Sequence, residues 1–262
     1  MLVTIEFPAF YSSLPFKDII TSQVPEDSPV ATKVLILAFN RPDKHSAVTE
    51  NLLTELETAY RLIDQDERVR AVVLTGAGRA FCVGGDLQTG FSGLLAHQAS
   101  RESIDRYRDQ GGKIALAIAS CTKPTVVGIN GHVANFGFTI TFPATIRVAW
   151  ARAKVAQPFA RLGFSLESYS AYFLPRLVRL AQAMHITTTG DTFVKTLSYL
   201  VELTSSIAGS GSLNSAKLIR DMLVFISLVD SKDNMTGIRS VTKKQHPDFS
   251  GTFNRKAVPF WP

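Results

Sequence analysis

A rhythm of short apolar, β-branched runs separated by helix-period segments constrains this chain most. Runs at residues 33–39, 69–75, 125–130 and 145–150 have the length and composition of strands. Between the first two, Leu52, Leu53, Leu56, Tyr60 and Ile63 recur on one face of a helix over residues 50–63, with Thr49 in the N-cap position. Residues 100–120 repeat the pattern through Ile104, Tyr107, Ile114, Leu116 and Ile118, and a short helix near 136–142 stops at Pro143. Strands alternating with helices demand crossover connections, and therefore a largely parallel sheet of α/β class. A further strand is expected at about 2–6, before a loop marked by VPEDSP at 24–29. The C-terminal third reads as helices at 192–207 and 215–228, broken by GSGS at 209–212 and followed by a polar tail from 231.

The strand at 69–75 runs into residues 74–87, LTGAGRAFCVGGDL. Glycines at a strand end let the main chain turn sharply and come close to a ligand. The free N–H groups of such a turn can point at a developing oxyanion. A tight turn that needs glycine for steric reasons alone gives the same pattern.

Composition narrows the classes. With 262 residues, 45% of them hydrophobic, the chain can bury one sizeable core. Two cysteines, Cys82 and Cys121, build no disulfide framework, and an intracellular, reducing compartment is expected. No apolar run reaches the ~18–20 residues of a membrane span, and the first ten residues carry Glu6 but no basic n-region. The formal net charge is +6, but the basic residues are scattered without interleaved stacking aromatics, so no nucleic-acid partner is expected. Anionic small ligands suit this charge equally well. The five histidines show no metal-ligand spacing, and His45 and His132 are lone candidates.

Three ordered motifs carry a family resemblance: VLILAFNRPDKHSAV at 34–48, the glycine stretch at 74–87, and KPTVVGINGH at 123–132. Over about residues 30 to 190 the chain resembles the enoyl-CoA hydratase/isomerase (crotonase) superfamily, and looks most like its fungal peroxisomal Δ3,Δ2-enoyl-CoA isomerase-like branch. The resemblance implies a ββα spiral core over 1–190, with C-terminal helices and tail over 191–262. It also implies an acyl-CoA substrate, coenzyme A entering only as part of that substrate, with no separate cofactor.

The resemblance also implies site residues. The backbone N–H of Gly85 would be one oxyanion donor, and that of Phe136, after Asn135 as N-cap, the second. Where relatives often carry three glycines, this chain reads Asn135-Phe136-Gly137. Water-adding members keep two glutamates at positions that fall here on Thr139 and Phe159, neither of them acidic. The isomerase branch keeps its base where this chain has Glu167, within FARLGFSLESYSAYFLPR at 159–176, with Leu166 and Ser168 in place of the usual proline and glycine. Read locally, Glu167 is also an ordinary acid of a first helical turn after Ser165. Phe159, Phe164, Leu166 and Tyr169 are candidates for an apolar pocket around it. Lys44, Ser46 and Ala47 match the segment that touches the nucleotide end of coenzyme A in relatives. Gly84, Asp86 and Leu87 complete the candidate binding residues, with Asp86 bracing the turn. Cys82 reads as a small core residue.

After Asp191 the family usually continues through a further segment, and a piece of roughly two dozen residues, about one helix and one short extended stretch, is absent here. The family implies a homo-oligomer, a trimer or dimer of trimers. It suggests a peroxisomal location, with the cytoplasm as alternative, although the final Pro-Phe-Trp-Pro is no Ser-Lys-Leu address. Three activities follow as expectations. They are a double-bond shift from position 3 to position 2 in β-oxidation or a fungal secondary-metabolite pathway, hydration or another CoA-thioester lyase reaction, and a catalytically degenerate binding subunit.

Overall fold

The computed structural model describes residues 7–86 and 110–193, together with 235, 236, 239, 240 and 243. Its elements in chain order begin with β1 (Ile19–Val24), β2 (Val34–Phe39), α1 (Glu50–Gln65), β3 (Ala71–Gly76) and β4 (Ala80–Cys82). They continue with α2 (Gln110–Ser120), β5 (Thr125–Ile129), β6 (His132–Ala134), the four-residue α3 (Phe136–Thr139), β7 (Ile146–Ala149) and β8 (Val155–Ala156). Two helices, α4 (Ser170–Val178) and α5 (Leu180–Thr189), and a final β9 (Thr192–Phe193) complete them.

The larger sheet has the order β1-β2-β3-β5-β7 and the smaller one the order β4-β6-β8-β9. From β2 onward the larger sheet is parallel, and only the β1–β2 pair is antiparallel. Three times in succession the chain lays a long strand in the first sheet and a short one in the second: β3 then β4, β5 then β6, β7 then β8. This winding is the ββα spiral expected from the resemblance.

Period-2 alternation sets the core. Leu37 stands opposite Leu74 and Leu74 opposite Val127, so the three share one face, and all are buried. Helix α1 covers that face with Leu52, Leu56, Ala59, Tyr60 and Ile63, and the Tyr60 hydroxyl lies 3.3 Å from Thr125 Oγ1 of β5. The cap is as expected, with Thr49 Oγ1 accepting from the N–H of Leu52 at 3.1 Å. From the same helix the buried carboxylate of Glu55 accepts the N–H groups of Lys17, Asp18 and Ile19 at 2.8, 2.9 and 3.1 Å, pinning the entry to β1.

Several expectations change. Strand β1 has no clear signal in the sequence, because the polar Thr21, Ser22 and Gln23 run consecutively through IITSQV and break any apolar alternation; its partner β2 is what orders it. Thr192 and Phe193 pair antiparallel with β8 and do not begin a helix. Ser168 and Tyr169 take left-handed φ angles of 51° and 57°, so Glu167 lies before α4 in a turn, outside the helical turn expected after Ser165. Asn135 precedes α3 as expected but makes no side-chain cap, because its φ of 49° and ψ of −126° depart from the extended N-cap conformation. The strand expected at 2–6, the helix at 215–228 and Leu87 lie outside the described residues, as do 100–109 and 194–207 of the two helices expected there.

Candidate active site

Two turns meet at the top of the smaller sheet. At the first, Val48 donates to the carbonyl of Gly84 at 2.8 Å and accepts from Asp86 at 2.9 Å. Those bonds occupy the groups on either side of Gly85, so its own N–H faces away from Val48. At the second, Phe138 and Thr139 donate back to the carbonyl of Asn135 at 2.9 and 3.0 Å, leaving the N–H groups of Phe136 and Gly137 ahead of the first helical bond. Glycine permits the close approach. A Cβ on Gly84, whose φ is +97°, would stand 2.6 Å from the Asn135 Cβ, and one on Gly137 would stand 2.1 Å from the Cys82 carbonyl oxygen. The sequence therefore brings the segments holding Gly85 and Phe136 into contact by having no side chain at two positions.

The third component is Glu167, buried at 9% exposure. Thr139 of α3 donates its hydroxyl to Glu167 Oε1, and Ser168 donates to Oε2. The Thr139 hydroxyl also lies 3.1 Å from the carbonyl of Phe136. Downstream, the N–H of Ser170 donates to the Glu167 carbonyl at 2.9 Å and its hydroxyl does so at 2.5 Å, which fixes the backbone on which the carboxylate stands. Cys82, at the end of β4, faces this acid. Burial, with the Glu167 charge adding to it, pushes its thiol up to about 12 despite the opposing N–H of Gly84, so it stays a neutral core residue. Of the expected pocket residues, Phe159, Phe164 and Tyr169 are buried and Leu166 is half-buried.

The remaining candidates sit around Arg41. Its guanidinium bonds the Ala47 carbonyl and Asp86 Oδ2, the latter at 3.1 Å, tying the 41–48 loop to the glycine turn. Asp86 thus braces the turn, as expected. Lys44 is exposed, whereas Ser46 and Ala47 are buried. His132 accepts from the Lys154 N–H at 3.1 Å, a structural bond. Sequence reasoning missed Thr139, Ser168 and Arg41 as partners. The first two stand out in the sequence only as departures from the family pattern, and the available signal is that both departures introduce hydroxyls.

Fold and motifs define an acyl-CoA enzyme of the crotonase type. The family model of enoyl-CoA hydratase/isomerase matches residues 30–196, and the chain belongs to this family. It is 31% identical to "Enoyl-CoA hydratase ACTT3" of Alternaria alternata, with 88% of each chain covered. It is 28% identical to the 1,2-epoxyphenylacetyl-CoA isomerase of Escherichia coli over 63% of its length and 62% of that relative's. A solved enoyl-CoA hydratase/isomerase from Pseudoalteromonas atlantica superposes with a TM-score of 0.70 at 24% identity, covering 89% of this chain and all of that one, which supports the spiral fold. Among the described residues no helix is long and apolar enough to cross a membrane.

Proposed function

We propose that this enzyme moves the double bond of an enoyl-CoA thioester from position 3 to position 2. One observation carries the reading: the buried carboxylate near the two turns is Glu167, while Thr139 and Phe159, where water-adding relatives are expected to keep glutamates, carry no acid. The thioester oxygen would accept the N–H groups of Gly85 and Phe136. Glu167 would take the C2 proton, leaving a dienolate whose charge rests on that oxygen, and would return the proton at C4, so the carboxylate is regenerated. Lys44, with the backbone of Ser46 and Ala47, would meet the nucleotide end of coenzyme A.

The name of the Alternaria relative favours a second reading, hydration of a 2-enoyl-CoA. Incubating the protein separately with 3-enoyl-CoA and 2-enoyl-CoA, and following the product, separates the two. Isomerisation predicts a 2-enoyl product from the first and no 3-hydroxyacyl product from the second. Replacing Glu167 by Gln is expected to cut isomerisation by ~10²–10⁴-fold while acyl-CoA binding survives. Near-normal turnover of that variant returns Glu167 to a structural role.

A further inference from the structure

The geometry points to Thr139 and Ser168 as positioning residues whose two hydroxyls hold the Glu167 carboxylate from both sides and keep it anionic. That they serve a base rests on the functional reading above; the clamp itself rests on geometry. Burial alone favours the neutral acid, whereas hydrogen bonds donated to the charged form favour the anion. Glu167 is 9% exposed, and each of its oxygens takes one of these hydroxyls. Bonds to an ionised acceptor are the stronger kind.

The two hydroxyls are not equivalent. Thr139 has a second acceptor, the Phe136 carbonyl at 3.1 Å. When Glu167 carries a proton, Thr139 can turn its own hydrogen to that carbonyl and accept from the acid, so it serves both ionisation states without losing a proton. The turn also links the state of the acid to Phe136, the residue holding the second proposed oxyanion donor. Ser168 stands at a φ of 51°, a region that favours glycine, so a hydroxyl is kept there against the backbone preference. From β4 the titratable group set against Glu167 is Cys82, neutral through the working range. Tyr169, next in the chain, packs against Ala115 of α2.

The test is an infrared titration of the full chain, using the carboxyl band that disappears in Glu167→Gln. Removing a bond to the anion raises the acid's pKa. The band's midpoint is therefore expected to rise by about one pH unit in Ser168→Gly and in Thr139→Val, and to stay in place in Thr139→Ser. The acid limb of kcat/KM on 3-enoyl-CoA should move up with it, with KM little changed. Ser168→Gly relieves the left-handed serine and keeps the test open should Thr139→Val fail to fold. An unmoved midpoint in Ser168→Gly overturns the clamp, even where Glu167→Gln abolishes isomerisation. A moved midpoint in a protein that isomerises nothing upholds the clamp and overturns the functional reading instead.

Discussion

Glu55 and Glu167 are both buried acids, at 7% and 9% exposure, yet they are held in opposite ways. Glu55 receives three backbone N–H groups and, at 2.9 Å, the side-chain amide of Asn51. Backbone donors fixed in a strand entry cannot turn away, so they suit one ionisation state. Glu167 receives two hydroxyls, which rotate. Burial therefore does not distinguish the proposed proton-transfer residue from a structural acid. The kind of donor does.

The largest expected effect falls on Glu167. Its Gln variant should lose ~10²–10⁴ in turnover, up to about 5.5 kcal/mol on the barrier. Its urea midpoint should move little, because an amide still bonds one hydroxyl. Glu55→Ala should do the reverse: about 3–5 kcal/mol of fold stability lost by urea denaturation, since three backbone donors are left unpaired. A Glu55 variant that folds normally but is selectively inactive would break the contrast.

Asp66 sharpens it with pH. Burial disfavours its charged form, but the Arg68 side chain and backbone and the Tyr11 hydroxyl outweigh burial and hold its pKa below the ordinary carboxylate value. A depressed folded pKa contributes stability above the unfolded value near 4, lost as pH falls through the folded one. Asp66→Asn should therefore be less stable than the parent at pH 7 by about 1–3 kcal/mol, the gap closing below about pH 4 in urea titrations. The smallest effect is Ser168→Gly on stability. Relief of a left-handed serine is offset by the freedom glycine gains when unfolded and by the lost hydroxyl bond to Glu167, about 1.4 kcal/mol for the expected one-unit shift, so thermal melting should show a net change of less than about 1 kcal/mol. A larger loss would mean that the hydroxyl contributes more to the fold than to the acid.

Local signals were legible in the sequence. The Thr49 cap, the helix behind it, the strands around β3 and β5 and the glycine turn all follow from residues near each other in the chain. What escaped depends on distant partners or on unusual backbone. Strand β1 needs β2 beside it, and β9 is two residues long and exists through β8. Ser168 and Tyr169 carry ordinary helix-start chemistry, so nothing in their types announces the left-handed turn that lifts Glu167 out of the helix. The position of Glu167 was legible through family resemblance. Its two hydroxyl partners were not, because Thr139, 28 positions upstream, and Ser168, the next residue, meet on the carboxylate only after the spiral has closed.

Gly137 has a consequence for anyone diversifying this site by directed evolution. Any side chain there would run into the Cys82 carbonyl of β4, and backbone does not step aside as a flexible side chain can. Nearly every member of a library randomised at 137 would be lost to misfolding before it met a substrate. Such a screen would score the position as indispensable, and a reader of the results would mistake a clearance for a contact. Productive variation belongs at 139 and 168, where side chains already differ from the family pattern and the backbone is in place.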